Sequence, residues 1–167
     1  MNARDVVKYG NLHLLEAIKD IEEKDWEKVG ATPEWSMKDI LSHLTSYEHF
    51  LVDALRSVGR PESEYGPYLV GMTKEDGWKT FNDDHVNTRR GKSYKEILDE
   101  YSKANEEALK LLEDMKPELL AKTGTIPWYG NDYSLDDFIV YANYGHKESD
   151  VSRINAFKDQ LKKEKTK

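Results

Sequence analysis

Residues 134–161 read SLDDFIVYANYGHKESDVSRINAFKDQL, from Ser134 to Leu161. Leu135, Phe138, Ile139, Ala142, Ile154, Phe157 and Leu161 recur at intervals of three and four, the period of a helix with one buried face. Two polar residues, His146 and Asp150, interrupt that stripe. They stand four apart, so a helix points both to the same side. An imidazole and a carboxylate on an inward face are costly unless they are paired or bind something. A partner is therefore expected elsewhere in the chain.

Working outward, the helical period returns three more times. Ala3 to Glu27 carries Val7, Leu14, Leu15, Ile18 and Ile21 on one stripe, with His13 beside it, before Gly30 and Pro33 break the chain. Ser36 with Asp39 forms an acidic capping box, and Trp35 with Ile40 a hydrophobic staple. The helix they open runs to Val58, with Gly59 at its close and Ile40, Leu44, Tyr47, Leu51, Ala54 and Val58 inward. His43 lies on the edge of that face, and His49 reads as a surface residue.

Arg60 to Gly71 reads as a loop on its prolines and glycines. Met72 to Arg90 is a weaker helix, with Trp78, Phe81 and Val86 expected inside and Asn82 and His85 on the same turns. Ser93 and Glu96 open another helix, to Met115, ahead of Pro117. An aromatic loop with Trp128 and Tyr129 leads to Ser134 and Asp137, the capping pair of the last helix. No alternating strand pattern of useful length is present. These readings predict an all-α protein: an up-and-down four-helix bundle whose long middle connection carries an extra short helix. Residues 1–162 are expected to form one domain, with a charged, frayed tail over 163–167.

The 167 residues include no cysteine, which excludes disulfides, thiolate metal sites and a cysteine nucleophile. A net charge of −7 argues against a nucleic-acid surface. No apolar run approaches the ~20 residues of a membrane span, and MNARDVVKYG lacks the apolar region of a signal peptide. A soluble, cytoplasmic protein without membrane or nucleic-acid partners is expected.

His43, His146 and Asp150 are the inward-facing set that could carry chemistry. Two nitrogens and a carboxylate on facing helices suit a divalent transition metal: zinc or nickel first, iron or manganese also admissible. Three protein ligands would leave a position for water or substrate. Spacing alone leaves a second reading open, a buried His–Asp hydrogen bond that holds two helices together.

The run Trp35-Ser36-Met37-Lys38-Asp39-Ile40-Leu41-Ser42-His43-Leu44, followed by Tyr47 and Glu48, resembles the second-helix motif of the DinB-like superfamily. Phe81-Asn82, Arg89-Arg90 and Tyr144-Gly145-His146 through Ile154 are similar to its middle region and last helix. The Trp78–Asn82 region and Ile126-Pro127-Trp128-Tyr129 look closest to the branch containing the colibactin self-resistance protein ClbS and its relative DfsB. The resemblance implies a four-helix bundle, often a homodimer. It also implies metal binding through one histidine on the second helix and an H-x-x-x-H pair on the last. His43 and His146 match, whereas Asp150 stands where the last histidine is expected.

The activities implied are thiol-dependent transfer or isomerisation with a low-molecular-weight thiol such as bacillithiol or mycothiol, or hydrolysis of a small electrophile. Tyr47, Trp78, Asn82 and Trp128 are candidates to line the pocket of a small-molecule ligand or substrate. The alternatives are a ClbS-like, metal-independent hydrolase giving self-protection, and a non-catalytic small-molecule-binding or dimeric interaction module.

Overall fold

Three serine boxes start the long helices. Ser36, Ser93 and Ser134 each accept the backbone N–H three residues on, and the carboxylates of Asp39, Glu96 and Asp137 accept the serine N–H in return. Each box satisfies donors that a helix start otherwise leaves free. The computed structural model describes residues 2–166. In chain order its helices are α1 (Ala3–Ile18), α2 (Met37–Ser57), α3 (Pro67–Thr73), α4 (Gly77–Thr88), α5 (Tyr94–Asp114) and α6 (Pro117–Ala121). The last rod joins α7 (Leu135–Phe138), a π-helical segment (Ile139–Tyr144) and α8 (Gly145–Lys165).

Two boundaries differ from the periodicity. The first helix stops at Ile18 rather than Glu27. Beyond it the chain turns so that Trp26 enters the core and stacks on Tyr94, ring centroids 4.3 Å apart. In the middle connection Pro67 to Gly71 is helical, not loop. Asp53 of α2 takes the place of a local cap, accepting the N–H groups of Tyr68 (2.8 Å) and Leu69 (3.2 Å). The connection thus carries two short helices, α3 and α4, instead of one.

Cross-helix pairs give the polarity. His49 meets Glu100 and Arg56 meets Glu107, so α2 and α5 run parallel. His13 meets Glu148 and, farther along, Lys158 meets the carbonyl of Ala17, so α1 and α8 are also parallel. Arg4 at the start of α1 bonds the carbonyls of Leu112, Glu113 and Met115 at the end of α5, so those two are antiparallel. The all-α four-helix bundle is as expected, but its helices run up, down, down, up rather than alternating up and down. A parallel α2–α5 pair explains the long connection, because the chain must return over the length of a 21-residue helix, about 30 Å, before α5 begins. At the other end, α8 continues to Lys165, whose ammonium reaches Glu22 (2.6 Å) and Asp25 (2.8 Å). Lys167, at the end of the tail expected to fray, lies outside the described residues.

The core is in two apolar parts. One gathers Val6, Val7, Leu51, Leu55, Leu112, Phe138 and Ile139, and the other Leu14, Ile18, Ile40, Leu44, Ile97, Ile154 and Phe157. Between them, on α2, α5 and the last rod, runs a buried polar waist containing His43, Glu48, Asn105, Asn143, Lys147 and Asp150. Among the described residues, no helix is long and apolar enough to cross a membrane.

Candidate metal centre

The waist is where the sequence-predicted ligands meet. His43 Nε2 lies 2.8 Å from His146 Nε2, and Asp150 Oδ2 lies 3.3 Å from each. Asp150 is fully buried and His43 nearly so, at 3% exposure, while His146 keeps 24% of its side chain in contact with solvent. Asp150 Oδ1 accepts from Arg153 Nη1 at 2.7 Å, but Oδ2 has no hydrogen-bond partner. A buried carboxylate oxygen without a donor is costly, and here it points at two imidazole nitrogens.

The triangle has the size of a coordination face. Ligand atoms about 2.0–2.2 Å from a tetrahedral ion stand about 3.3–3.6 Å apart, and closer where the angle narrows toward 90°. The observed separations of 2.8, 3.3 and 3.3 Å lie at the compact end of that range. The donor set of two imidazoles and one carboxylate fits zinc, nickel, iron or manganese. Ligation through both Nε2 atoms requires the proton of each ring to sit on Nδ1. His43 Nδ1 is buried with no acceptor.

Electrostatics keep the set ready for a cation. Burial lowers the pKa of His43, against the pull of Asp150, so the imidazole stays neutral near pH 7. Burial alone would raise the pKa of Asp150, but the two imidazole nitrogens that face Oδ2 outweigh it and hold the carboxyl well below the usual range. Tyr47 packs edge-on against His146, centroids 4.0 Å apart. Burial, then the negative Asp150, pushes its phenol up to about 12.

The π-helical segment sets which residues face inward. A single extra residue accommodated there turns everything downstream by ~100° relative to a regular helix. Without that turn, Val151 and Ile154 would lie off the face that Leu135, Phe138 and Ile139 bury. With it, Lys147, Asp150, Ile154, Phe157 and Leu161 continue the face, and His146 moves to its rim. The shift also exchanges one expected core position, burying Asn143 and leaving Ala142 only half-buried.

The expected pocket residues separate. Tyr47 walls the centre. Asn82 is half-buried beside Phe81, which packs on Tyr47, and its Oδ1 has no partner. Trp78 is 67% exposed, because the inward side of α4 is taken by Phe81 and Val86. Trp128 donates to Ser57 Oγ at 3.0 Å, 14 residues and so about 21 Å along α2 from His43, and does not line the centre. His49, expected on the surface, is half-buried: it stacks on Tyr68 and bonds Glu100 at 3.0 Å. Glu48, noted in the sequence only as the acidic end of the second-helix motif, and Lys147, which the sequence reading passed over, form an ion pair inside the waist. Each reads locally as an ordinary helix charge. The one signal was position: Lys147 lies between His146 and Asp150.

A sequence model of the DinB superfamily matches residues 12–146. The chain belongs to the DinB superfamily. The match takes in His43 and ends at His146, so the third member of this DinB chain's triangle, Asp150, lies beyond it. Among solved structures, a crystal structure of an uncharacterised protein from Escherichia coli UTI89 is similar, with a TM-score of 0.68 and 15% identity over 94% of this chain and 91% of that one. That likeness shows the DinB bundle fold alone. No curated protein matches the sequence.

Proposed function

We propose that this DinB-superfamily protein holds a divalent transition metal on His43, His146 and Asp150 and acts on small electrophiles, by thiol-dependent transfer or by hydrolysis. One observation carries the metal reading: three ligand atoms from two helices lie within 3.3 Å of one another, and the carboxylate oxygen among them is buried with no hydrogen bond. A bound divalent ion would lower the pKa of a water or thiol toward neutrality and so supply the nucleophile. The chain has no cysteine, so a thiol would have to come from a small molecule.

The residues divide the remaining work. Asp150 supplies negative charge that offsets part of the ion's, with Arg153 fixing its other oxygen. His146 is the exposed ligand, so approach from solvent is on its side. Tyr47 and Trp35 flank the imidazoles, with ring centroids 4.8 and 5.0 Å from His43. They offer aromatic surface to an apolar electrophile, and Tyr47 keeps its proton throughout the neutral range.

Elemental analysis of untagged protein, beside Asp150→Ala and His43→Ala, tests the reading. Near-stoichiometric zinc, nickel, iron or manganese is expected in the parent, with most of it lost in both variants. No metal after incubation with all four ions would instead favour a polar cluster that only holds the helices together. Turnover of an electrophile that depends on added thiol would select transfer over hydrolysis.

A further inference from the structure

Metal binding gives no role to the charged pair beside it. Glu48 and Lys147 are 0% and 2% exposed, and their side chains are in direct contact. Asn105 Nδ2 donates to the second carboxylate oxygen at 3.2 Å, and the Lys147 ammonium stands 5.3 Å from the centre of the Tyr101 ring. A buried ion pair adds little net stability, since desolvation of both charges offsets most of their attraction. Apolar side chains of the same volume would fill the space as well.

What such a pair supplies is a unique fit. Apolar surfaces tolerate a helix turned a few tens of degrees, whereas a buried ammonium must find its carboxylate or remain uncompensated. The pair joins the same two helices that carry the ligands, with Lys147 between His146 and Asp150 and Glu48 five residues after His43. It sits directly after the π-helical segment, where the turn of the rod departs from the regular helical repeat. Gly10 completes the fit: a Cβ there would stand 3.1 Å from the Tyr144 ring and 3.4 Å from Lys147 Cδ, so its absence lets α1 close over the lysine stem.

We infer that Glu48 and Lys147 are a positioning pair that fixes the rotation of α8 about its axis and thereby brings His146 and Asp150 onto His43. The consequence for metal affinity rests on the reading above, but the convergence of the two imidazoles can be measured without metal.

The experiment compares the parent with Glu48→Met/Lys147→Met, which removes both charges and keeps the volume, and with Asn105→Ala, which keeps both charges and removes one hydrogen bond. In metal-free protein, nuclear Overhauser effects between the His43 and His146 ring protons report the convergence. Chemical denaturation reports stability separately. The double variant is expected to fold with near-parental stability and to lose the ring-to-ring effects. Asn105→Ala is expected to weaken them, and it decides the matter if the double variant does not fold. Parental ring-to-ring intensity in a folded variant overturns the inference. Zinc affinity, measured by chelator competition, is expected to fall about 10–100-fold in the double variant. A parent that takes up none of zinc, nickel, iron or manganese would refute the metal reading alone, leaving the ring-to-ring effects to judge the positioning pair.

Discussion

Glu100 shows how far a single side chain can depart from what its position in the sequence implies. Burial alone would raise its pKa, but hydrogen bonds from Arg89 and Lys92 bring it down to about 2. Arg89 is itself buried and holds both carboxylate oxygens, one of them at 2.7 Å, while Lys92 reaches the second at 2.9 Å. A carboxyl whose folded pKa lies below its unfolded value adds stability that is complete above about pH 4.5 and is lost as pH falls toward 2. Glu100→Gln is expected to cost on the order of 2–3 kcal/mol at pH 7, because Arg89 loses its counter-charge. Urea denaturation of both proteins should show that gap narrowing between pH 5 and pH 2. A gap constant with pH would mean that ionisation of Glu100 contributes nothing. The sequence singles out Arg89 only as part of a family resemblance and does not mark its partners. His49 lies on α2, Arg89 just past the end of α4 and Glu100 on α5, and each reads as a solvated side chain until the bundle closes.

At the scale of the element, the capping boxes and apolar stripes were legible because they are local: a serine and an acid three residues apart, or one period held over several turns. His43 and Asp150 were legible as inward-facing for the same reason, whereas His146 was expected inside and lies at the rim. The π-helical segment was not, because it changes the period halfway along a rod, which is why Ala142 was expected inside and Asn143 is found there. That segment can be tested by length. Omitting Tyr141, which is exposed, lets the segment become ordinary α-helix while leaving both flanking faces where they are. The shortened protein is expected to keep its circular dichroism and a melting temperature within a few degrees of the parent. Omitting Ser152, also exposed, turns Ile154, Phe157 and Leu161 away from the core by ~100° and is expected to abolish cooperative melting. Equal losses from the two deletions would contradict this account of the segment.

For the whole molecule, the parallel pairing of α2 with α5 and of α1 with α8 could not be read from the helices, since stripes say which face is buried and not which neighbour buries it. The length of the middle connection was the visible trace of it. The division of the core was equally hidden, because Glu48 and Lys147 look like surface charges one at a time. That division has a thermodynamic signature. Leu112→Ala in one apolar half should cost about 2–5 kcal/mol and Ile154→Val in the other about 0.5–1.5 kcal/mol. With a charged layer between them, the two losses should sum to within about 0.5 kcal/mol in the combined protein. Across the waist the arithmetic should fail: Glu48→Met or Lys147→Met alone strands a charge at a cost of about 3–5 kcal/mol, while the two together cost far less than their sum. The chain can therefore drift in sequence within either half almost independently, but Glu48 and Lys147 can change only together.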